Sequence, residues 1–562
     1  MAERLVDVGD GVKLERGVPW RLSDGTVLRS DHYYPAGDGP WPTLLLRQPY
    51  GRDIASTVVY AHPVWFARRG YNVVIQDVRG RGGSEGEFYP FRNEGRDGAE
   101  TIAWLRTRPE SNGRVGMYGF SYQGAAQLLA AAEQPEGLQC IAPAMTACDF
   151  YAGWFYHNGA LRLASSQGWG LQMLKEDAVR RGLHQARERL GAAWANLRAQ
   201  TGYMPYGEHP AIVDPELPSY VRDWFAHDTP CDYWSGMDVS KRAAKIAVPA
   251  LHVSGWYDTY LEGSVRGFEL LRREAQSKEH QYLLAGPWVH IPWGDRVGES
   301  DLGAGALLNT DEFLLSWFDH WLKDAGTFTD EPKVRHFAMG VNQWMTADDW
   351  EGSARETLYL HSGGRAESRK GDGFLSLKSP EKESADIFSY DPEVPVMSPG
   401  GPMGVSGPTD QAALEMGNNL LVYTSESLSE ATHVFGAPAV RIYVATSASQ
   451  ADLVAKLVRV LPSGRAEFVC IGIARSALLF GDAYKAETTQ LWEFSLEPTS
   501  TVFAAGEKIR LEVAGSAFPL YDRNPSNATK PKEMTPWNWG RSTHMVFHDM
   551  ARPSALVLPV IS

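Results

Sequence analysis

Residues 115–132 read VGMYGFSYQGAAQLLAAA, and the stretch divides at Ser121. Before it, VGMYGF is a short apolar run of strand type. Behind it, YQGAAQLLAAA is rich in Ala, Leu and Gln, the residues that lose least on entering a helix. A strand that breaks directly into a helix needs a sharp turn, and Gly119 and Gly124 relieve the crowding around it. Such a turn lifts the Ser side chain above the sheet edge, where it can act as a nucleophile. It also brings the Tyr122 N–H and the positive end of the helix near the place where an oxyanion would form. Pattern alone is a weak signal, and the plainer reading is a Ser that caps a helix. The common spacing puts a second Gly two residues after the Ser; here Gln123 stands there and Gly124 follows.

The surroundings repeat the alternation. TVLRSDHYYP and PTLLLRQPYG read as early strands, and YNVVIQDV as a fully buried one ending in a Gly-rich loop. NEGRDGAETIAWLRTRPE has the spacing of an amphipathic helix, and CIAPAMTACD returns to a buried strand. Buried strands alternating with helices predict a mostly parallel sheet covered on both faces. Residues 149–247 are helical in composition and lack strand runs, which predicts a helical cap inserted in the α/β unit. The alternation resumes with KIAVPALHVSGWYD and HQYLLAGPWVH, and FLLSWFDHWLKD closes it. From residue 331 to 562 the chain turns to short β-prone runs between Gly and Pro, the texture of a jelly roll. The expected division is therefore an α/β domain over 1–148 and 248–330, a cap over 149–247, and an all-β jelly-roll domain over 331–562. Within the last, residues 368–404 are polar and turn-rich and read as long wrapping loops.

The totals exclude several classes. The 562 residues carry 54 Lys and Arg against 68 Asp and Glu, a net charge of −14. That disfavours a nucleic-acid surface, which needs clustered cations. The four Cys include no Cys-x-x-Cys pair, so neither a disulfide scaffold nor a thiolate zinc site is expected. No stretch has the length of a membrane span and the first residues show no signal h-region, so the expectation is a cytoplasmic protein with no membrane partner.

A Ser hydroxyl needs a base to take its proton and an acid to orient that base. In an α/β-hydrolase sheet the order is Ser, acid, His, each just past a strand. PALHVSGWYD places Asp258 past a strand, and QYLLAGPWVH places His290 past the next. A turn Asp and a loop His are the plainer readings of each taken singly. His252 lies inside its strand, His157 and His227 lie in the cap, and Asp295 follows His290 too closely; Asp77, which precedes the Ser, fits an ion-pair network with Arg79 and Arg81. The second oxyanion donor should follow an early strand, and Tyr50 is a candidate through its hydroxyl.

With these residues in place, the chain resembles the cocaine esterase family, related to Xaa-Pro dipeptidyl-peptidases and α-amino acid ester hydrolases. The resemblance runs through RQPYG at 47–51, QDVRGRGGSEGEF at 76–88, GMYGFSYQG at 116–124, VSGWYD at 253–258, GPWVH at 286–290 and AFPLYDRNPSN at 517–527. It implies an α/β-hydrolase with a helical cap and a C-terminal jelly roll. It implies the triad Ser121, Asp258 and His290, with an oxyanion hole made by the Tyr50 hydroxyl and the Tyr122 N–H. It implies ester or amide cleavage through an acyl-enzyme, with no cofactor and no metal.

For the substrate, a small ester or amide, the sequence offers less. Trp154, Phe155, Trp169, Tyr257 and Trp293 are candidate walls of an acyl pocket, and each is as readily core. Aromatic walls would favour apolar or aryl acyl groups. A dipeptidyl-peptidase or an amino-ester hydrolase would need groups that grip a free ammonium, and Gln123 stands where amino-ester hydrolases usually have Glu. A non-catalytic binding protein on the same scaffold is the other class. Jelly-roll faces can support a homodimer, which no residue here decides.

Overall fold

The computed structural model describes residues 5–53, 57–402 and 406–561. Residues 1–4 of the expected first domain, residue 562 of the expected last domain, and the end of the turn-rich stretch at Met403 and Gly404 lie outside the described residues. Two sheets organise the molecule. The first runs, in spatial order, through Leu5–Asp7, Lys13–Arg21, Val27–Tyr34, Asn72–Asp77, Trp41–Gln48, Ser111–Phe120, Leu138–Ala144, Ala250–Tyr257, Gln281–Val289, Val334–Ala338 and Gln343–Ala347. From Asn72–Asp77 to Val334–Ala338 every neighbouring pair is parallel. The strands outside that block pair antiparallel. NVVIQD and ALHVSGWY are buried at every residue, as strands covered by helices on both faces must be.

Parallel strands share one direction, so the loops that leave their C-terminal ends gather along one edge. Ligands of open α/β sheets bind along that edge. Here Tyr50, Asp77, Ser121, Asp258 and His290 all leave strands there. A series of helices lies between Leu138–Ala144 and Ala250–Tyr257. The longest is Leu163–Arg180, followed by His184–Ala195, Leu197–Gln200 and Tyr220–Ala226.

The second sheet begins with Ala354–His361 and ends with Ala555–Ile561. Its pairs are antiparallel except Phe374–Ser376 with Leu420–Ser425. Leu360, Tyr423, Ile442, Leu457, Leu511 and Leu558 form its core. This is a mostly β domain of jelly-roll type. The first sheet extends beyond residue 330, because Val334 pairs with Leu283 and Phe337 with Trp344. Short β-prone runs look alike in either sheet, which is why the change of texture near residue 331 precedes the change of sheet.

The two sheets share a core. Trp256, Tyr257, Leu283 and Phe337 of the first pack with Phe435 and Phe468 of the second. Buried charges cross the same boundary. Arg475 pairs with Asp452 and Asp522 at 2.8 and 2.9 Å, and it donates to the Gly159 carbonyl at 3.1 Å. Arg162 pairs with Glu262 and Glu497 at 3.1 and 3.2 Å.

Candidate active site

Ser121 sits between the strand Ser111–Phe120 and the helix Tyr122–Ala131, with φ 60° and ψ −127°. Few residues with a Cβ adopt that conformation, and strain of this kind persists only where the surroundings impose it. The Ser121 N–H donates to the Ala144 carbonyl at 2.8 Å, and the Ser121 carbonyl accepts from Gly124 and Ala125. The flanking sequence explains itself sterically. A Cβ on Gly119 would stand 2.4 Å from the Gln123 Cβ, and one on Gly124 would stand 2.9 Å from the Ala144 carbonyl. The side chain of Gln123 thus occupies the space that the more common spacing leaves empty. Its Oε1 accepts from the Phe120 N–H at 3.2 Å.

Asp258 and His290 meet one strand apart. The Asp258 carboxylate is buried, with Oδ2 2.5 Å from His290 Nδ1 and Oδ1 accepting the Tyr260 N–H at 2.8 Å. Both oxygens are held, so the carboxylate fixes the imidazole and selects the tautomer with Nδ1–H. Nε2 is then the nitrogen open to a hydroxyl. The ring lies against Phe120 and Tyr260, with centroids 5.3 and 5.4 Å away.

Two donors stand beside Ser121. The Tyr122 N–H is the first of its helix and has no carbonyl within the helix to reach. The Tyr122 side chain is spent elsewhere: its hydroxyl donates to Glu94 at 2.8 Å and accepts the Phe91 N–H at 3.1 Å. Tyr50 follows Trp41–Gln48, which runs beside the strand to Ser121. Its hydroxyl accepts the Trp169 indole N–H at 3.3 Å and lines the same cleft as Ser121. Burial pushes the Tyr50 phenol up to about 12, while the Trp169 and Ser121 side chains draw it down. It therefore stays protonated, and able to donate, at any working pH.

Tyr50, Ser121 and His290 open on one cleft of about 730 Å³, whose walls are mainly apolar. Helix Leu163–Arg180 forms one wall with Ser165, Trp169, Gln172 and Glu176, and Tyr260 and Trp194 form others. Glu176 is the one carboxylate on these walls among the described residues.

Of the five aromatics expected to line the pocket, Trp169 does so. Trp154 and Phe155 lie behind it, in a π-helical turn over Tyr151–Phe155 that carries both inward. Trp154 stacks on the back of Tyr260 at 4.1 Å, and Phe155 packs against Trp224 at 4.5 Å. Tyr257 belongs to the core shared by the two sheets. Trp293 stacks on Trp288 at 5.3 Å and donates to the His290 carbonyl at 3.1 Å, so it braces the His290 backbone from behind. The sequence placed none of Gln172, Glu176, Trp194 and Tyr260 at the site. The spacing 165, 169, 172, 176 along one helix is the signal that marks the first two.

The rival residues stand elsewhere. His252 bonds Gln281 at 3.2 Å inside its strand, and burial lowers it to about 4. His157 bonds the Tyr521 hydroxyl at 2.6 Å, and His227 stacks on Tyr233. Asp77 pairs with Arg52 and accepts the Gly83 N–H at 2.9 Å. Arg79 pairs with Asp97 at 2.8 Å, and Arg81 reaches Asp177 on the cap helix at 3.1 Å. The Gly-rich loop thus fastens the cap. Among the described residues no group of His, Cys, Asp and Glu is arranged to hold a metal ion.

A family model described as X-Pro dipeptidyl-peptidase (S15 family) matches residues 24–292. A second, described as the X-Pro dipeptidyl-peptidase C-terminal non-catalytic domain, matches residues 326–557. The chain is 32% identical to the cocaine esterase of Rhodococcus sp. (strain MB1 Bresler), over 99% of this chain and 100% of that protein. Among solved structures, an aminopeptidase from a marine sediment archaeon, Thaumarchaeota archaeon, superposes with a TM-score of 0.81 at 24% identity, over 100% of this chain and 98% of that one. An α-amino acid ester hydrolase superposes with a TM-score of 0.79 at 23% identity, over 99% and 97%. At those identities the two structures speak to the fold.

Proposed function

Because the chain belongs to the cocaine esterase-like family of serine α/β-hydrolases, we propose that it cleaves carboxylic esters of apolar or aryl acyl groups, with Ser121 as nucleophile. The observation that carries the reading is the meeting of four groups. Ser121 stands on a strained turn, Asp258 holds His290 at 2.5 Å, and Tyr50 lines the same cleft as Ser121 and His290.

In this reading His290 Nε2 takes the Ser121 proton as Oγ attacks the ester carbonyl. The Tyr50 hydroxyl and the Tyr122 N–H receive the oxyanion. The tetrahedral adduct collapses as the imidazolium gives its proton to the leaving alcohol, and an acyl-Ser121 remains. Water, deprotonated by His290, attacks that ester; the carboxylic acid leaves and Ser121 recovers its proton. Asp258 stays ionised throughout and stabilises the imidazolium.

The apolar walls support an uncharged acyl group. A free ammonium would find one carboxylate there, Glu176, on the solvent side. A fluorophosphonate should label the wild type and leave Ser121→Ala unlabelled. A panel of aryl esters, amino-acid esters and Xaa-Pro amides then tests the acyl group. No labelling of the folded wild type overturns the hydrolase mechanism, and a preference for free-amine substrates overturns the acyl assignment.

A further inference from the structure

Trp169 does more than wall the cleft. Its indole N–H donates to the Tyr50 hydroxyl oxygen at 3.3 Å, and it reaches that oxygen from the cap helix, whereas Tyr50 lies in the turn that follows strand Trp41–Gln48. A phenol oxygen has one proton to give and lone pairs to accept with. When an indole N–H occupies a lone pair, the hydroxyl proton is turned away from Trp169, and Tyr50 and Ser121 line the same cleft. We infer that Trp169 is a positioning residue for the oxyanion hole: it aims and polarises the Tyr50 hydroxyl through its indole N–H, so the hole is complete only when the cap helix is seated. This deepens the proposed function and rests on the assignment of Tyr50 as an oxyanion donor.

A principle and the packing around the indole carry the inference further. A hydrogen bond accepted at an oxygen strengthens the one that oxygen donates, by about 10–30% per bond. Burial weakens Tyr50 as an acid, and the Trp169 hydrogen bond is the largest of the influences that oppose burial. The indole is also held firmly. It stacks on Trp224 at 5.1 Å with planes 5° apart, and Trp154 and Phe155 back it at 5.6 and 6.2 Å. Two of the four expected wall aromatics that do not line the cleft thus support Trp169, which does. The helix that carries Trp169 is tied to the hydrolase sheet by Arg81–Asp177 and by Arg180, which donates to the Gly82 and Ser84 carbonyls at 3.1 and 2.7 Å.

The test removes the N–H and keeps the ring. Trp169→Phe does so simply. Replacement of Trp169 by benzothienylalanine does so with the bicyclic shape intact, which covers the case where the Phe variant packs poorly. Steady-state hydrolysis of an aryl ester should show kcat lowered by about 5- to 30-fold, as for loss of one hydrogen bond, with KM within about twofold. Placed in a Tyr50→Phe background, either change should lower kcat no further. A raised KM with wild-type kcat makes Trp169 a wall alone and overturns the inference, as does a loss that persists in the Tyr50→Phe background. Tyr50→Phe with wild-type kcat removes the oxyanion assignment itself, and the inference falls with it. The single Tyr50 variant therefore separates the two failures.

Discussion

At Ser121 the backbone holds φ 60° and ψ −127°, a conformation that glycine adopts freely and residues with a Cβ do not. Strain of this kind costs about 1–3 kcal/mol, and the fold supplies it to raise one hydroxyl. Ser121→Gly should therefore melt higher than Ser121→Ala, a difference of about 1–2 kcal/mol by thermal unfolding, while neither turns over substrate. Asp258→Asn should keep the local geometry and select the wrong imidazole tautomer, lowering kcat by about 10⁴-fold with the fold unchanged by circular dichroism. The positions of Ser121, Asp258 and His290 were legible because each follows an apolar run, and parallel strands bring such positions to one edge. Gln123 was legible as a departure in spacing. Its reason, a side chain packed over Gly119, depends on a distance that no sequence pattern carries.

Among the elements, the cap helix Leu163–Arg180 and the helix Leu261–Glu274 show two ways in which charge is used. Arg81 is buried with Asp177, and Arg81→Met would leave that carboxylate buried without its cation. A loss of about 3–5 kcal/mol is expected at this junction. Limited proteolysis should show it as faster cutting in the exposed turn at residues 181–184. Glu269 lies in the crevice between the second helix and the β domain. Burial, and then the neighbouring Glu351, push its carboxyl from 4.5 up to about 7, against the smaller pull of Arg266 and Arg273. The folded protein keeps this proton up to about pH 7, whereas the unfolded chain releases it near 4.5. Its contribution to stability is thus whole below pH 4.5 and lost as pH rises through 7. Glu269→Gln should raise the melting temperature at pH 8 and change it little at pH 4.5. The helices were legible from composition and period. The π-helical turn that hides Trp154 and Phe155 was not, because a change from four-residue to five-residue hydrogen bonding leaves no mark in residue type.

The whole molecule is joined through buried matter rather than through a linker. Strands Val334–Ala338 and Gln343–Ala347 complete the first sheet after the texture of the sequence has already changed, and both sheets contribute to one apolar core. Arg475 anchors this junction, with Asp452, Asp522 and the Gly159 carbonyl as partners. Arg475→Leu would strand two buried carboxylates and should lower the melting temperature of the entire chain, an effect of about 3–5 kcal/mol. A chain cut at residue 330 would lose two sheet strands and expose Trp256 and Leu283, and it should be recovered in the insoluble fraction. Sequence texture separated the α/β and β regions well. It carried no mark that Val334–Ala338 and Gln343–Ala347 join the first sheet, because pairing across a sheet is a long-range property.

The parallel indoles of Trp169 and Trp224 have one more consequence. They lie 5.1 Å apart, and Trp169 forms part of the cleft wall. An acyl group seated on Ser121 would displace solvent from that wall and change the emission of the pair. The protein therefore carries its own fluorophore on the wall of the cleft that Ser121 lines. Stopped-flow mixing with an optically silent ester should resolve acylation from deacylation with no dye attached.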